Sequence, residues 1–168
     1  FRPLPAFLKY LGTCYLPIIA EGEDTYLMKL NQVINTIVDS DLAYIASYNS
    51  GTAVKVKKLL GVIAESAPFK PNIAALARKL DLSLDSVYQY IYQLKDARLL
   101  NTLSQEGKGV STLQKPDKIF LENTNLAFAL KENPDIGNIR ETFLFNQLLN
   151  AGLKVTFPDK GDFAIDGL

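Results

Sequence analysis

The sequence predicts an α+β fold, mostly helical, and three observations carry that expectation. Apolar residues recur at a spacing of three and four through most of the chain, the mark of helices with one buried side. Two pairs of short strand-like runs, 99–103 with 118–121 and 153–157 with 163–165, each bracket a glycine-containing turn. Between residues 73 and 94, small and large apolar residues alternate in the manner of two helices crossing at a tight turn.

Residues 4–10 and 25–46 read as helices, the second with Leu27, Leu30, Val33, Ile34, Ile37, Val38, Leu42 and Ile45 on one stripe. The Tyr48-Asn49-Ser50-Gly51-Thr52 run is a break and marks an internal boundary. Val56, Leu59, Leu60 and Ile63 then repeat at helical spacing as far as Pro68, which together with Pro71 ends the helix and forces an extended link. Ile73, Leu76, Ala77 and Leu80 define a short helix, Asp81-Leu82-Ser83 a turn, and Val87, Ile91 and Leu94 a further helix. Ser83 is its expected N-cap; Ser86 stands where a reciprocal capping box would place Glu. Leu99–Leu103 and Lys118–Leu121 complete a hairpin with a tip at Gly107-Lys108-Gly109. Three helices and a hairpin predict a winged helix-turn-helix over residues 51–122, preceded by a helical segment, 1–50. In the remainder, 123–168, short helices are expected at 126–130 and 139–151, with Gly152 as a stop, and then a strand pair turning at Pro158-Asp159-Lys160-Gly161.

Composition bounds the chemistry. With 168 residues, 48% apolar and 21% charged, the chain suits one ordinary domain or two small ones. Its longest apolar run, Cys14 to Ala20, contains Pro17 and falls far short of the ~20 residues a membrane-crossing helix needs, so no membrane partner is expected. The start, Phe1-Arg2-Pro3, has neither initiator Met nor the basic and cleavage regions of a signal peptide, and predicts an internal start. One cysteine and no histidine exclude an internal disulfide, zinc-finger ligand sets, and Ser-His-Asp or Cys-His nucleophilic machinery. A reducing, cytoplasmic setting is the expectation. No Gly-x-x-x-x-Gly-Lys-Ser/Thr run occurs, so the chain has no phosphate-binding P-loop of that type.

The zero net charge hides a segregation: residues 53–118 hold eleven basic and six acidic residues. A basic module between acidic flanks is the footprint expected of polyanion contact, although lysines also serve solvated helix faces. The candidate nucleic-acid contacts are Lys55, Lys57, Lys58, Arg78, Lys79, Tyr88, Gln89, Lys108 and Lys115. The outward positions of the third helix, Leu84, Asp85, Tyr88, Gln89 and Tyr92, offer little for reading bases: Gln89 can address adenine, whereas Asp85 repels phosphate. Two classes of function follow, a duplex-DNA-binding module of low sequence specificity and a protein-docking module with Tyr88, Tyr90 and Tyr92 against a partner.

The runs Pro68-Phe69-Lys70-Pro71-Asn72, Lys115-Pro116-Asp117-Lys118-Ile119-Phe120-Leu121, Asn123-Thr124-Asn125-Leu126, Gly137-Asn138-Ile139-Arg140-Glu141-Thr142-Phe143 and Gly161-Asp162-Phe163 resemble a family of prokaryotic AAA-type ATPases. In that family a P-loop ATPase domain precedes a winged helix and a restriction-endonuclease-like domain. The resemblance implies a C-terminal region whose partner is the ATPase domain upstream, with ATP and magnesium belonging to the parent chain, and a nuclease-like segment, 123–168, that continues past Leu168. It also matches Glu141 and Asp162 to acidic positions of the nuclease-like motif, Asp162 being the candidate metal ligand, with a Glu-x-Lys-like element on a following strand. Metal-dependent phosphodiester cleavage needs carboxylates converging on magnesium and a lysine near the phosphate. Alternatively Glu141, beside Arg140, charges the first turn of its helix and Asp162 closes a turn. No cofactor is expected in the chain itself.

Overall fold

A computed structural model describes residues 2–13, 16–46, 48–105 and 115–165. Helices α1 (Pro3–Thr13), α2 (Tyr26–Thr36) and α3 (Leu42–Ile45) are followed by α4 (Ser50–Ser66), α5 (Ile73–Leu80) and α6 (Leu84–Asp96). A hairpin of β1 (Leu100–Leu103) and β2 (Lys118–Leu121) comes next, then α7 (Thr124–Leu130), α8 (Ile136–Asn150) and the short strands β3 (Val155–Thr156) and β4 (Ala164–Ile165). The fold is therefore α+β and mostly helical, with two small antiparallel sheets.

Local chemistry explains where α4 to α8 begin. Each is preceded by a residue whose side-chain oxygen accepts a first-turn amide: Asn49 from Thr52 (2.8 Å), Asn72 from Ala75 (3.0 Å), Ser83 from Ser86 (3.0 Å), Asn123 from Leu126 (3.2 Å) and Asp135 from Asn138 (3.0 Å). Each cap satisfies an orphan donor and stabilises its helix by about 1 kcal/mol. The expected cap at Ser83 is present, and its hydroxyl also lies 2.8 Å from that of Ser86.

The helix expected over 25–46 is interrupted. Between α2 and α3, residues Ile37–Asp41 form a π-helical turn, in which Asp39, Ser40 and Asp41 face water while Val38 and Leu42 stay buried. The wider turn enlarges the polar arc without surrendering the apolar stripe. This N-terminal piece clasps α7: the Tyr26 hydroxyl donates to the Asn125 amide oxygen (2.5 Å), while Thr124 (2.6 Å) and the Asn125 amide (2.7 Å) donate to the Leu11 carbonyl. One aliphatic core consequently runs from Leu11 and Leu30 through Leu59, Ile63 and Ile91 to Leu126 and Ile139. It crosses both boundaries drawn from sequence, at residues 50/51 and 122/123.

The hairpin is buried on both faces. Leu100 pairs with Leu121 and Leu103 with Lys118, and all four residues of β2 are buried. Ile119 and Leu121 face the aliphatic core; Phe120 faces α8 and β4, where its ring meets Phe145 and Phe163 at centroid distances of 4.3 and 5.9 Å. Phe69, in the extended link after α4, adds a bridge to Ile119 along the free edge of β2. The expected tip, including Lys108, lies outside the described residues, as does Cys14. The strands expected at 153–157 and 163–165 pair over two residues each.

Candidate nucleic-acid interface

Helix α5 buries Ile73, Leu76 and Ala77, which places Arg78 and Lys79 in water at its C-terminal end. Basic residues there also complement the helix dipole. Asp81 follows in the left-handed region (φ 52°), and the Leu82 amide returns to the Ala77 carbonyl at 2.9 Å, so the chain reverses directly into α6. The Lys55 ammonium donates to the Asp81 carbonyl (2.9 Å), tying α4 to this turn.

Helix α6 buries Val87, Ile91 and Leu94 completely and leaves Leu84, Asp85 and Gln89 exposed; its outer face is not covered by any described element. Tyr88 and Tyr92 are half-buried. Burial, reinforced by neighbouring Tyr88, pushes the Tyr92 hydroxyl above its ordinary value, and the Lys95 ammonium lies 5.8 Å from the Tyr92 ring centroid. Tyr90 is used inside the chain: its ring meets Tyr48 edge-on at 5.7 Å, and the Tyr48 hydroxyl donates to Gln93. Burial, with Tyr90 close by, pushes Tyr48 up to about 12.

The predicted cations do not share one setting. Arg78, Lys79, Lys58 and Lys115 are exposed and have no ion-pair partner among the described residues. Arg78 lines an open hollow of about 720 Å³ with Asp81, Leu82, Ser83 and Leu84, whereas Lys79 shares a smaller one, about 200 Å³, with Lys70, a cation the sequence reading did not select. Lys55 and Lys58, three residues apart, fall on one face of α4. Lys57 falls on another and pairs with Asp39 of the π-helical turn at 2.9 Å, so it does not join them. Lys108 is outside the described residues.

Glu141 and Asp162 do come together, through Lys118, which the sequence placed at the start of a strand and in the basic count but not among the candidate site residues. The Lys118 ammonium, on a side chain only 11% exposed, contacts the Glu141 carboxylate directly and lies 3.4 Å from Asp162. Glu141 is thus not a first-turn charge: Asp135 caps α8, and Glu141 faces the hairpin one and a half turns further on. Fit to a metal ion is poor. An ammonium already occupies the space between the carboxylates, and no group of three or more metal-ligating acids, Cys or His exists among the described residues. The arrangement is chemically an ion triad joining β2, α8 and the turn before β4, with Lys118 and Glu141 mostly covered and Asp162 open to water.

Comparison of the chain with known protein families, with curated proteins and with solved structures gives no match. No described helix is long and apolar enough to cross a membrane.

Proposed function

We propose that residues 51–122 act as a winged-helix module that attracts duplex DNA by charge, with little sequence preference, and serve as a regulatory part of an AAA-type ATPase. One observation carries the reading: Arg78 and Lys79 stand exposed and unpaired beside the turn into α6, whose outer face is open. Lys58 and Lys115 add exposed positive charge. Weak sequence preference follows from the outer face of α6, where Leu84 and Asp85 supply no donors to base edges and Gln89 alone offers an amide. Residues 123–165 are read as the opening of a nuclease-like fold, and no catalytic step is assigned to them. ATP and magnesium belong to the ATPase domain that the resemblance implies.

The test is a salt titration of binding to a labelled duplex. Three or four phosphate contacts give a slope of log affinity against log salt of about −3. The triple variant Lys58→Glu, Arg78→Glu, Lys79→Glu is expected to abolish binding at low salt. Absence of binding by the unaltered chain, or indifference to the triple variant, removes the DNA reading. A second reading, a docking lid that packs on the ATPase domain and touches no nucleic acid, is favoured by Leu84, 51% exposed at the leading end of α6 and followed by Asp85. Leu84→Lys separates the two: it strengthens duplex binding in the first and weakens docking to the ATPase domain in the second.

A further inference from the structure

We propose that a groove between the π-helical turn and the C-terminal end of α6 docks a short amphipathic helix of a partner protein, one whose apolar face is flanked by lysine or arginine. Two adjoining hollows of about 390 and 370 Å³ form the groove, and both have Ile37 and Ala97 in their walls. The first is floored by Leu42 and edged by Ile45, and the second is floored by Leu30, Ile34 and Leu126. Ile45, at the first hollow, is 78% exposed although every other wall of that hollow is at least partly covered or charged. Two linked aliphatic hollows offer separate seats for successive apolar anchors on one face of an amphipathic helix.

Charge selects the kind of helix. The charged residues in the walls are Asp41, Asp96, Arg98 and Glu122. Arg98 and Glu122 face each other at 3.6 Å and cancel. Asp41 and Asp96 are exposed, with no ion-pair partner among the described residues. Asp96 is also the last residue of α6, where unsatisfied carbonyls already concentrate negative potential, so its carboxylate is unfavourable for the helix itself. The C-terminal end of α3 opens on the same hollow through Ala46. Two carboxylates and two helix ends therefore surround an apolar floor with one sign of charge, which favours an ammonium or guanidinium beside an aliphatic anchor and repels nucleic acid. This surface is independent of the DNA reading, since it shares no residue with Lys58, Arg78, Lys79 or α6's outer face.

The experiment uses the full 168-residue chain and two labelled probes, a helical Leu/Lys amphipathic peptide and its Leu/Glu counterpart, followed by anisotropy and by amide shifts. The Leu/Lys peptide is expected to bind, to shift the amides of Ala46 and Ala97, and to lose about tenfold or more in affinity when Asp41 and Asp96 are both changed to Lys. Asp41→Asn with Asp96→Asn gives a smaller loss and guards against misfolding of the charge-reversed chain. Glu132→Lys, at an exposed acid elsewhere, leaves affinity unchanged. Equal binding of the Leu/Glu peptide, shifts confined to other surfaces, or insensitivity to both double variants overturns the proposal. Self-association abolished by Ile45→Asp also overturns it, by giving the groove to a second copy of the chain.

Discussion

Cations serve opposite ends on the two sides of the hairpin. On the α5–α6 side, Arg78 and Lys79 stand in water with no ion-pair partner among the described residues. Behind β2, the Lys118 ammonium is buried between Glu141 and Asp162 and lies 5.6 Å from the centroid of the Phe120 ring. The first arrangement leaves charge available for a ligand at negligible cost to the fold. The second consumes it, because a desolvated ammonium is tolerable only with its counter-charges in place. A count of basic residues along the sequence treats these lysines as equals; their burial separates them. Lys57, spent on Asp39, belongs with Lys118 in this respect.

The most damaging way to break the contrast is to remove the aromatic floor under Lys118. Phe120→Ala withdraws the ring that meets both Phe145 and Phe163, and is expected to cost about 3–5 kcal/mol in chemical denaturation. Next comes the charge itself: Lys118→Met leaves the mostly covered Glu141 carboxylate without its counter-charge and costs about 2 kcal/mol, lessened from the fully buried case by the exposure of Asp162. Adding Glu141→Gln should recover part of that loss, whereas Arg78→Glu should stay within about 0.5 kcal/mol of the unaltered chain. If Lys118→Met and Arg78→Glu proved equally mild, the distinction between the two sides would collapse.

A third, smaller effect concerns pH. Burial raises the Glu122 carboxyl above its ordinary value, against the opposing pull of Arg98 and of the Asn101 amide, which donates to it at 2.5 Å. The folded chain then keeps this proton at a pH where the unfolded chain has released it. This contribution to stability is therefore present at acid pH and declines as pH rises from the ordinary glutamate range through the raised value. Glu122→Gln removes that decline, which thermal unfolding between about pH 4 and 7 would reveal as a flatter profile. The smallest effect is expected at Asp81, held at φ 52°. Asp81→Gly relieves the left-handed backbone and stabilises the chain by about 0.5 kcal/mol, while also removing a negative charge beside Arg78 and so tightening duplex binding slightly.

Much of this architecture is readable from the residues in order. The bounds of α5 and β2 coincide with Ile73–Leu80 and Lys118–Leu121 because their apolar spacing is strict and their flanks are Asn72, Asp81 and Asp117. The π-helical turn is not readable, since apolar residues four apart, as at Val38 and Leu42, satisfy an α-helix equally well. Nor is the ion triad. Lys118 and Glu141 lie 23 residues apart and Asp162 is 44 from Lys118, so only the folding of α8 over the hairpin unites them. The available signal was a lysine opening an otherwise apolar strand, two residues before Phe120 and hence on the same face. The groove beside α6 left a fainter one, Asp96 at the wrong end of its helix.

The π-helical turn gives the N-terminal segment a spare residue. A deletion inside Ile37–Asp41 could be absorbed by tightening that turn to an ordinary α-turn, keeping α2 and α3 continuous, whereas the same deletion within α4 would swing everything downstream by ~100° about the helix axis. Length variation in this protein is thus cheapest between Ile37 and Asp41, so evolution can reshape that rim while the scaffold beneath it keeps its register.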